Sequence, residues 1–195
     1  MAYPAFENIT PNEYLEIEVR GSQKHEYFDG RIYAMAGAGL NHNYIVSNLW
    51  SKLSIFLEGK ACKTFGSDMR ITTPFLDSYM YPDLSIICNG VETQENGFDT
   101  IINPSVIIEV MSPSTKGYDM AFKFHYYKQI PSLQEYILID STRCFVQVNK
   151  RGRDNSWEGM PCIEEMNSSL VISTIEAQLL LSDIYNEVSF AEKQV

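Results

Sequence analysis

The sequence lacks any apolar run long enough to cross a bilayer, which takes about 20 consecutive apolar residues. Its first residues, MAYPAFENIT, lack the basic start and apolar stretch of a secretory signal. Internal repeats, linkers and low-complexity segments are also missing. These absences predict a cytoplasmic protein without a membrane partner. The 195 residues, 45% of them hydrophobic, suit a single domain over 1–195.

Cysteine is scarce, and the four cysteines are not spaced as metal ligands. Cys62, Cys88, Cys144 and Cys162 include no C-x-x-C pair, which argues against a zinc site. Cys88 and Cys144 lie in apolar runs, where a free cysteine behaves as a small buried hydrophobe. Because cytosolic proteins rarely form disulfides, we predict none here.

Positive charge is also scarce, with 15 Lys and Arg against 25 Asp and Glu and a formal net charge of −10. Contacts to phosphate groups need Lys and Arg, so charge alone does not hold this chain on nucleic acid. A bound metal ion would offset part of the acidity. The densest local basic group lies late in the chain and consists of Arg143, Lys150, Arg151 and Arg153.

Two common enzyme motifs are incomplete or absent. The segment GAGLNH begins like a dinucleotide-binding loop but has His42 in place of the third glycine. No G-x-S-x-G elbow occurs, and Ser112 stands before a proline in a predicted turn. A dinucleotide-dependent enzyme and a serine hydrolase are therefore set aside.

The patterns that are present predict an α/β (α+β) fold. Thr10, Pro11 and Glu13 are typical of a capped helix start, and Asp29-Gly30 predicts a hairpin turn. Apolar residues recur at helical spacing over 41–58, which places His42 at the start of the buried face. Further predicted elements are a helix over 118–129 and strands over 62–72, 84–88, 105–111, 136–140 and 144–149. The strand–helix–strand unit over 105–140 predicts parallel strands.

Glu109 is the most informative residue, since it interrupts the apolar run VIIEVM. A run this apolar is typical of a central strand that is buried on both faces. A buried carboxylate is costly unless it is paired or bound to metal. The alternative is a strand with a single glutamate that faces solvent.

Asp83 and Lys123 become candidate site residues when they are considered together with Glu109. Asp83 opens the strand LSIIC after a proline, which is also ordinary turn chemistry. Two acids at the ends of adjacent strands can meet and offer the hard oxygen ligands that Mg²⁺ favours. Lys123 follows Asp119 by four residues. The spacing fits either a surface ion pair or an ammonium aimed at the acids.

Three segments, PDLSIIC, IIEVMSPST and GYDMAFKFHYYKQIPSLQEYILID, together with HEYFDGRIYAMAG, carry a family resemblance. They resemble the Uma-two family of restriction-endonuclease-like proteins within the PD-(D/E)XK nuclease superfamily, over roughly residues 10–149. The resemblance implies a restriction-endonuclease-like core, in which helices flank a mixed central sheet. It also implies a Mg²⁺-dependent endonuclease, with Mn²⁺ as a substitute, that cuts DNA and acts as a homodimer.

The resemblance also implies roles for individual residues. Asp83 and Glu109 match the acids that hold Mg²⁺ near the scissile phosphate. The motif's lysine belongs two residues after the glutamate, where this chain has Met111, and Lys123 matches a displaced lysine on the following helix. An in-line attack by water then releases a 3′-hydroxyl.

Other positions match with weaker implications. The resemblance makes Glu26 an acid that completes the metal shell, and it makes the carbonyl of Val110 a further ligand. His42 matches a family histidine, and Asp119 is a further possible site residue. The residues alone leave other interpretations open: an ordinary strand glutamate for Glu26, a core histidine for His42 and a helix cap for Asp119. Asp140, at a strand end, is expected to be structural.

Two competing functions remain open. The chain could be a non-catalytic interaction protein with the nuclease fold, which the charge of −10 and Met111 favour. It could also be a metal-dependent phosphoesterase acting on a smaller substrate than DNA.

Overall fold

The computed structural model of the chain describes residues 5–75, 77–95, 99–113 and 115–190. Ser114, part of the segment that carries the family resemblance, lies outside the described residues, as does the end of the predicted loop over 89–97. The helices are α1 (Pro11–Arg20), α2 (Leu40–Phe56), α3 (Phe124–Tyr127) and α4 (Leu181–Ile184). A π-helical turn, Tyr118–Lys123, leads into α3, and Ser173–Ile175 is a 3-10 turn.

Most of the strands of the described residues belong to two sheets. The central sheet has the order β12-β11-β10-β9-β7-β4, and the second sheet has the order β1-β3-β2-β6-β5-β8. A separate hairpin pairs β13 with β14. The strands are β1 (Phe6–Glu7), β2 (His25–Phe28), β3 (Arg31–Ala34), β4 (Cys62–Gly66), β5 (Arg70–Thr72), β6 (Ser78–Met80), β7 (Leu84–Cys88), β8 (Thr100–Ile101), β9 (Val106–Met111), β10 (Glu135–Asp140), β11 (Val146–Arg151), β12 (Trp157–Gly159), β13 (Ser169–Ile172) and β14 (Ala177–Leu180).

Strand β9 lies inside the central sheet, parallel to β10 and antiparallel to β7. The predicted parallel strand–helix–strand unit is therefore confirmed. All six residues of β9 are buried, as a strand covered on both faces requires. Both sheets mix parallel and antiparallel pairs, and helices flank them, which confirms the predicted α+β class.

Alternate residues of β9 enter two different cores, because successive side chains of a strand point to opposite faces. Ile108 and Val110 pack in one core with the buried face of α2. Ile107 and Met111 pack in the other core with Tyr127 of α3. Glu109 therefore points toward the face covered by the π-helical turn and α3.

Two local predictions are confirmed in detail. The Thr10 side chain accepts a hydrogen bond from the Glu13 N–H at 3.3 Å, and Glu13 Oε2 accepts one from the Thr10 N–H at 2.8 Å. This reciprocal pair is the predicted capping box. Asp29 and Gly30 have φ values of 45° and 83°, as a two-residue hairpin turn between β2 and β3 requires.

The predicted continuous strand over 62–72 is wrong. The chain turns after Gly66, so the segment forms β4 in the central sheet and β5 in the second sheet. The next strand along the chain is β6, which also belongs to the second sheet. Trp50 of α2 is 40% exposed and lies against Gly66. A Cβ at Gly66 would lie 2.5 Å from the Trp50 ring, so the close approach requires glycine.

The prediction that the chain forms no disulfide is also wrong, because Cys62 and Cys88 are bonded. They are direct partners in the antiparallel register of β4 and β7, although 26 residues separate them along the chain. Residue spacing alone does not reveal a cross-strand pairing of this kind. Cys144 is a half-buried free thiol, and Cys162 is exposed. Among the described helices, none combines the length and apolarity that a membrane crossing needs.

Candidate active site

Asp83 and Glu109 meet because β7 and β9 are antiparallel neighbours. Leu84 pairs with Ile108, so Asp83, which directly precedes β7, stands opposite Glu109. The Asp83 N–H donates to Glu109 Oε2 at 3.3 Å, and the Val110 N–H donates to Asp83 Oδ2 at 2.7 Å. The Asp83 side chain is 19% exposed and that of Glu109 is 4% exposed. The interpretation of Glu109 as a glutamate that faces solvent is therefore wrong.

Lys123 is buried beside these acids. Its Nζ lies 3.0 Å from Glu109 Oε1, 2.8 Å from Glu26 Oε1 and 4.0 Å from Asp119 Oδ1. The interpretation of Lys123 as half of a surface ion pair is wrong, since its side chain is only 6% exposed. Lys123 ends the π-helical turn, a form of helix that often marks functional sites.

Glu26 reaches the site from β2, so the site lies between the two sheets. Its Oε1 accepts the Tyr81 N–H at 3.3 Å, and its Oε2 accepts the Tyr118 hydroxyl at 3.1 Å. Lys123 Nζ also contacts Oε1, so the Glu26 carboxylate has three partners: the ammonium, the Tyr81 N–H and the Tyr118 hydroxyl. Glu26 is thus more than an ordinary strand residue, because it forms a second ion pair with the ammonium.

His42 and Tyr127 complete the contacts of the two acids. His42 lies in the first turn of α2, and its Nε2 is 3.1 Å from Asp83 Oδ2. The Tyr127 hydroxyl donates to Glu109 Oε1 at 3.1 Å. Sequence reasoning missed Tyr127. Its spacing of four residues from Lys123, which places both on one helix face, was the signal that could have found it.

The site carries more negative than positive charge. Its carboxylates belong to Asp83, Glu109, Glu26 and Asp119, whereas Lys123 is the ammonium among them. Burial raises the pKa of Glu109 well above its usual range, against the opposing effect of Lys123. Burial also raises the pKa of Asp119, to about 6. Burial disfavours the charged form of Lys123, but Glu109 and Glu26 outweigh it and raise its pKa.

We expect Asp119→Asn to remove part of the pH dependence of stability. Folded Asp119 keeps its proton up to a pKa of about 6, against 3.8 for the ordinary group. The folded state therefore binds more protons between these values, and the free energy of unfolding falls as pH rises from about 4 to about 6. At 1.36 kcal/mol per pKa unit this fall is about 3 kcal/mol, and the variant should lack it.

Urea unfolding between pH 4 and 7 measures this difference. The partly exposed Asp183, which pairs with Lys52 at 2.8 Å, provides the control Asp183→Asn. Parallel curves for wild type and Asp119→Asn would show that Asp119 titrates as an ordinary carboxyl group.

The donor set at Asp83 and Glu109 is consistent with Mg²⁺. No group of three or more His, Cys, Asp and Glu side chains in the described ranges is arranged to hold a metal ion. Mg²⁺ does not need such a group, since it is usually bound by one or two carboxylates with waters and substrate phosphate. Asp83 and Glu109 offer those carboxylates, and the carbonyl of Val110 is the third candidate ligand.

The local basic group is largely engaged within the protein. Arg143 pairs with Glu164 at 3.0 Å, and Lys150 lies 3.6 Å from Glu135. Arg151 donates to three backbone carbonyls, those of Lys128, Ile130 and Leu133. Arg151 is therefore held by the fold, whereas Arg143 and Glu164 form an exposed surface pair. Asp140 has a similar environment, as it accepts from Lys116 at 3.2 Å and from the Thr142 N–H at 2.9 Å.

Comparisons with known proteins agree with this architecture. A family model described as "Uma2: Putative restriction endonuclease" matches residues 11–181. The uncharacterized protein slr1290 of Synechocystis sp. is 34% identical over 95% of both chains. The uncharacterized protein sll1609 of the same organism is 37% identical over 76% of this chain and 84% of its own.

A solved structure also resembles this fold. It is described as "a putative nuclease belonging to DUF820" from Anabaena variabilis ATCC 29413. The TM-score is 0.70 at 21% identity, and the match covers 91% of this chain and 97% of that one. The resemblance in the sequence and the restriction-endonuclease-like fold that it implied are therefore confirmed: this chain belongs to the family described as "Uma2: Putative restriction endonuclease".

Proposed function

We propose that this chain is a metal-dependent endonuclease that hydrolyses DNA phosphodiester bonds. The observation that carries the proposal is the convergence of Asp83, Glu109 and Lys123 in one largely buried site. Two carboxylates beside a held ammonium are the groups that metal-assisted phosphodiester hydrolysis needs. We assign the activity to a single cytoplasmic domain over 1–195.

The two acids and a backbone carbonyl are the proposed ligands of Mg²⁺, or of Mn²⁺ in its place. Asp83 and Glu109 supply carboxylate oxygens, and Val110 supplies its carbonyl. Held by these ligands, such an ion would supply Lewis-acid chemistry toward the phosphodiester and a water molecule of lowered pKa. The excess of carboxylates over ammonium supports a role for a cation, because without one these acids repel a phosphodiester.

Lys123 has the role of a preorganised positive charge. Its ammonium lies between Glu109 and Glu26, both within 3.0 Å, and little solvent reaches it. In such a site a fixed charge stabilises developing negative charge more strongly than it does in water. Lys123 therefore orients the attacking water or stabilises the pentavalent transition state. Glu26, which the family resemblance places in the metal shell, holds this ammonium in place.

The proposed partner is DNA, and the proposed assembly is a homodimer. Each chain carries one such site, whereas a duplex has two strands to cut. The exposed edges of the central sheet, β12 and β4, are candidate dimer contacts.

A phosphoesterase acting on a smaller substrate is the second candidate function. The net charge of −10 and the internal contacts of Arg143, Lys150 and Arg151 favour it. A small phosphodiester needs few of the phosphate contacts that DNA binding requires. The same two acids, Asp83 and Glu109, and the same Lys123 ammonium would act on it.

Cleavage of supercoiled plasmid at low salt with Mg²⁺ or Mn²⁺ tests the proposal. We expect wild type to nick the plasmid and Asp83→Asn to lose this activity, while the surface control Asp183→Asn retains it. Chelation of the metal should abolish nicking. A folded wild type that spares DNA but hydrolyses bis-p-nitrophenyl phosphate would support the phosphoesterase. Inactivity on both substrates would leave a non-catalytic protein with the nuclease fold.

A further inference from the structure

Each carboxylate of the Asp83–Glu109 pair has one oxygen that is fully engaged by two donors. Asp83 Oδ2 contacts the Val110 N–H at 2.7 Å and His42 Nε2 at 3.1 Å. Glu109 Oε1 contacts Lys123 Nζ at 3.0 Å and the Tyr127 hydroxyl at 3.1 Å. An ionised carboxylate offers about two acceptor sites on each oxygen, so these two oxygens are saturated.

The other oxygen of each carboxylate has few hydrogen-bond donors or none. Asp83 Oδ1 accepts no hydrogen bond from any residue in the described part of the chain. Glu109 Oε2 accepts only the Asp83 N–H among the described residues, at a long 3.3 Å. Each acid therefore keeps one oxygen with room for another partner, and the two acids are in direct contact.

We propose that His42 and Tyr127 are positioning residues for the metal ion. They anchor one oxygen of Asp83 and one of Glu109, so that each acid presents a single oxygen to the cation. The inference rests on the proposed function, since it takes these two acids as the metal ligands. It adds to that function a role for two residues that need not touch either metal or substrate.

The placement of His42 indicates more than a packed core histidine. Its Nδ1 is buried and has no hydrogen-bond partner among the described residues. While Nε2 contacts Asp83, Nδ1 is left without a partner among the described residues, an arrangement that folded proteins seldom contain. The ring is therefore placed to contact Asp83 through Nε2, as the hydrogen-bond partners of metal ligands commonly are.

Tyr127 acts on Glu109 from the opposite side of the central sheet. His42 belongs to α2, which packs on one face, whereas Tyr127 belongs to α3, which packs on the other. The Tyr127 ring is fully buried, so its orientation is fixed by packing. Two helices on opposite faces of the sheet therefore hold the two acids at the place where β7 and β9 meet.

Anchoring one oxygen of each acid also selects the metal. Mg²⁺ and Mn²⁺ suit oxygen ligands in octahedral geometry, and Mg²⁺ commonly takes one or two carboxylates. Ca²⁺ takes six to eight oxygens and often binds both oxygens of a carboxylate. Because His42 and Tyr127 occupy Asp83 Oδ2 and Glu109 Oε1, each acid has one oxygen left for the ion, and the two acids should favour the smaller ion.

Calorimetric titration of the full chain with Mn²⁺, and separately with Ca²⁺, tests the inference without any need for activity. We expect His42→Leu and Tyr127→Phe each to weaken Mn²⁺ binding by about 10- to 100-fold, the usual effect of losing an outer-sphere partner. Ca²⁺ binding should weaken less, so the preference for Mn²⁺ falls. His42→Gln keeps a donor at the position of Nε2 and should restore most of the affinity.

Matched controls come from the same segment. His125 is exposed, and Tyr126 donates to Asp29 Oδ2 at 2.6 Å rather than to the site, so His125→Leu and Tyr126→Phe should bind Mn²⁺ like wild type. Circular dichroism and thermal unfolding establish that each variant is folded. If His42→Leu does not fold, His42→Gln and Tyr127→Phe carry the test.

Two kinds of failure are distinguishable. If wild type does not bind Mn²⁺, or if binding survives in the double variant Asp83→Asn, Glu109→Gln, these two acids are not the metal ligands. Binding that needs both acids but is unchanged in His42→Leu and Tyr127→Phe overturns only the positioning role. Equal weakening in His42→Leu and His42→Gln shows that the bond to Asp83 is not what His42 contributes.

Discussion

Replacing Lys123 by methionine is expected to lower the free energy of unfolding at pH 7 by about 3–5 kcal/mol, the usual cost of leaving buried charge unpaired. The substitution leaves Glu109, Glu26 and Asp119 in one buried region without their shared ammonium. The loss should shrink toward pH 5, because carboxylates without a partner take up protons and become neutral. Urea unfolding at both pH values measures the effect.

The same substitution should reduce phosphodiester cleavage by about 10²- to 10³-fold, as loss of one preorganised donor to the transition state typically does. The exposed Lys128, at the end of the same helix, gives the control Lys128→Met. An unfolding free energy like that of wild type would contradict the burial argument. Wild-type cleavage by Lys123→Met would remove Lys123 from the proposed mechanism.

A second substitution, Met111→Lys, tests whether the loss in Lys123→Met comes from the missing charge or from altered packing. Met111 lies two residues after Glu109 in β9, on the same face of the strand. It occupies the position at which the motif that the sequence resembles has its lysine. Met111→Lys combined with Lys123→Met should therefore restore part of both the stability and the cleavage, because an ammonium returns to the same face.

The main elements follow from local patterns. The apolar run VIIEVM identified a central strand, and the strand–helix–strand spacing identified its parallel partner. The same run drew attention to Glu109, since a lone carboxylate in a buried strand needs a partner. Lys123 was recognised through the family resemblance, because its spacing from Asp119 also fits a surface pair.

The remaining contacts depend on tertiary structure. His42 meets Asp83 across 41 residues, and Cys62 meets Cys88 across 26, through the register of strands that local patterns do not fix. Arg151 donates to carbonyls at the end of α3 and beyond it, whereas composition alone suggested a basic surface. Sequence periodicity places a residue on a face of its own element, but not against a particular partner on another element.

Glu109→Gln is expected to abolish metal-dependent cleavage while leaving the protein as stable as wild type, or more stable, at pH 7. A metal ion contributes several kcal/mol to catalysis, so losing one of two carboxylate ligands should slow cleavage by a factor on the order of 10³. The fold should tolerate the change, because Lys123 keeps Glu26 at 2.8 Å and the amide has nearly the same shape.

The pH dependence of stability gives an independent test of this expectation. Burial raises the pKa of Glu109, so its ionisation in the folded state is disfavoured and stability is lost as pH rises above the ordinary carboxyl pKa. A glutamine does not titrate, so the variant should gain stability relative to wild type as pH rises above the ordinary carboxyl pKa. Unfolding and cleavage measured on the same samples report both effects.

A buried glutamate on the neighbouring strand supplies the control. Glu135 of β10 accepts the Ser173 and Thr174 N–H groups at 3.1 and 2.8 Å. Because these are charge-assisted bonds outside the site, Glu135→Gln should lower stability and retain cleavage. Glu109→Gln should do the reverse. If both variants lose stability and cleave normally, Glu109 is a structural residue. If instead Glu135→Gln loses stability and Glu109→Gln loses cleavage, Glu109 is a metal ligand and Glu135 is a buried acid that stabilises the fold.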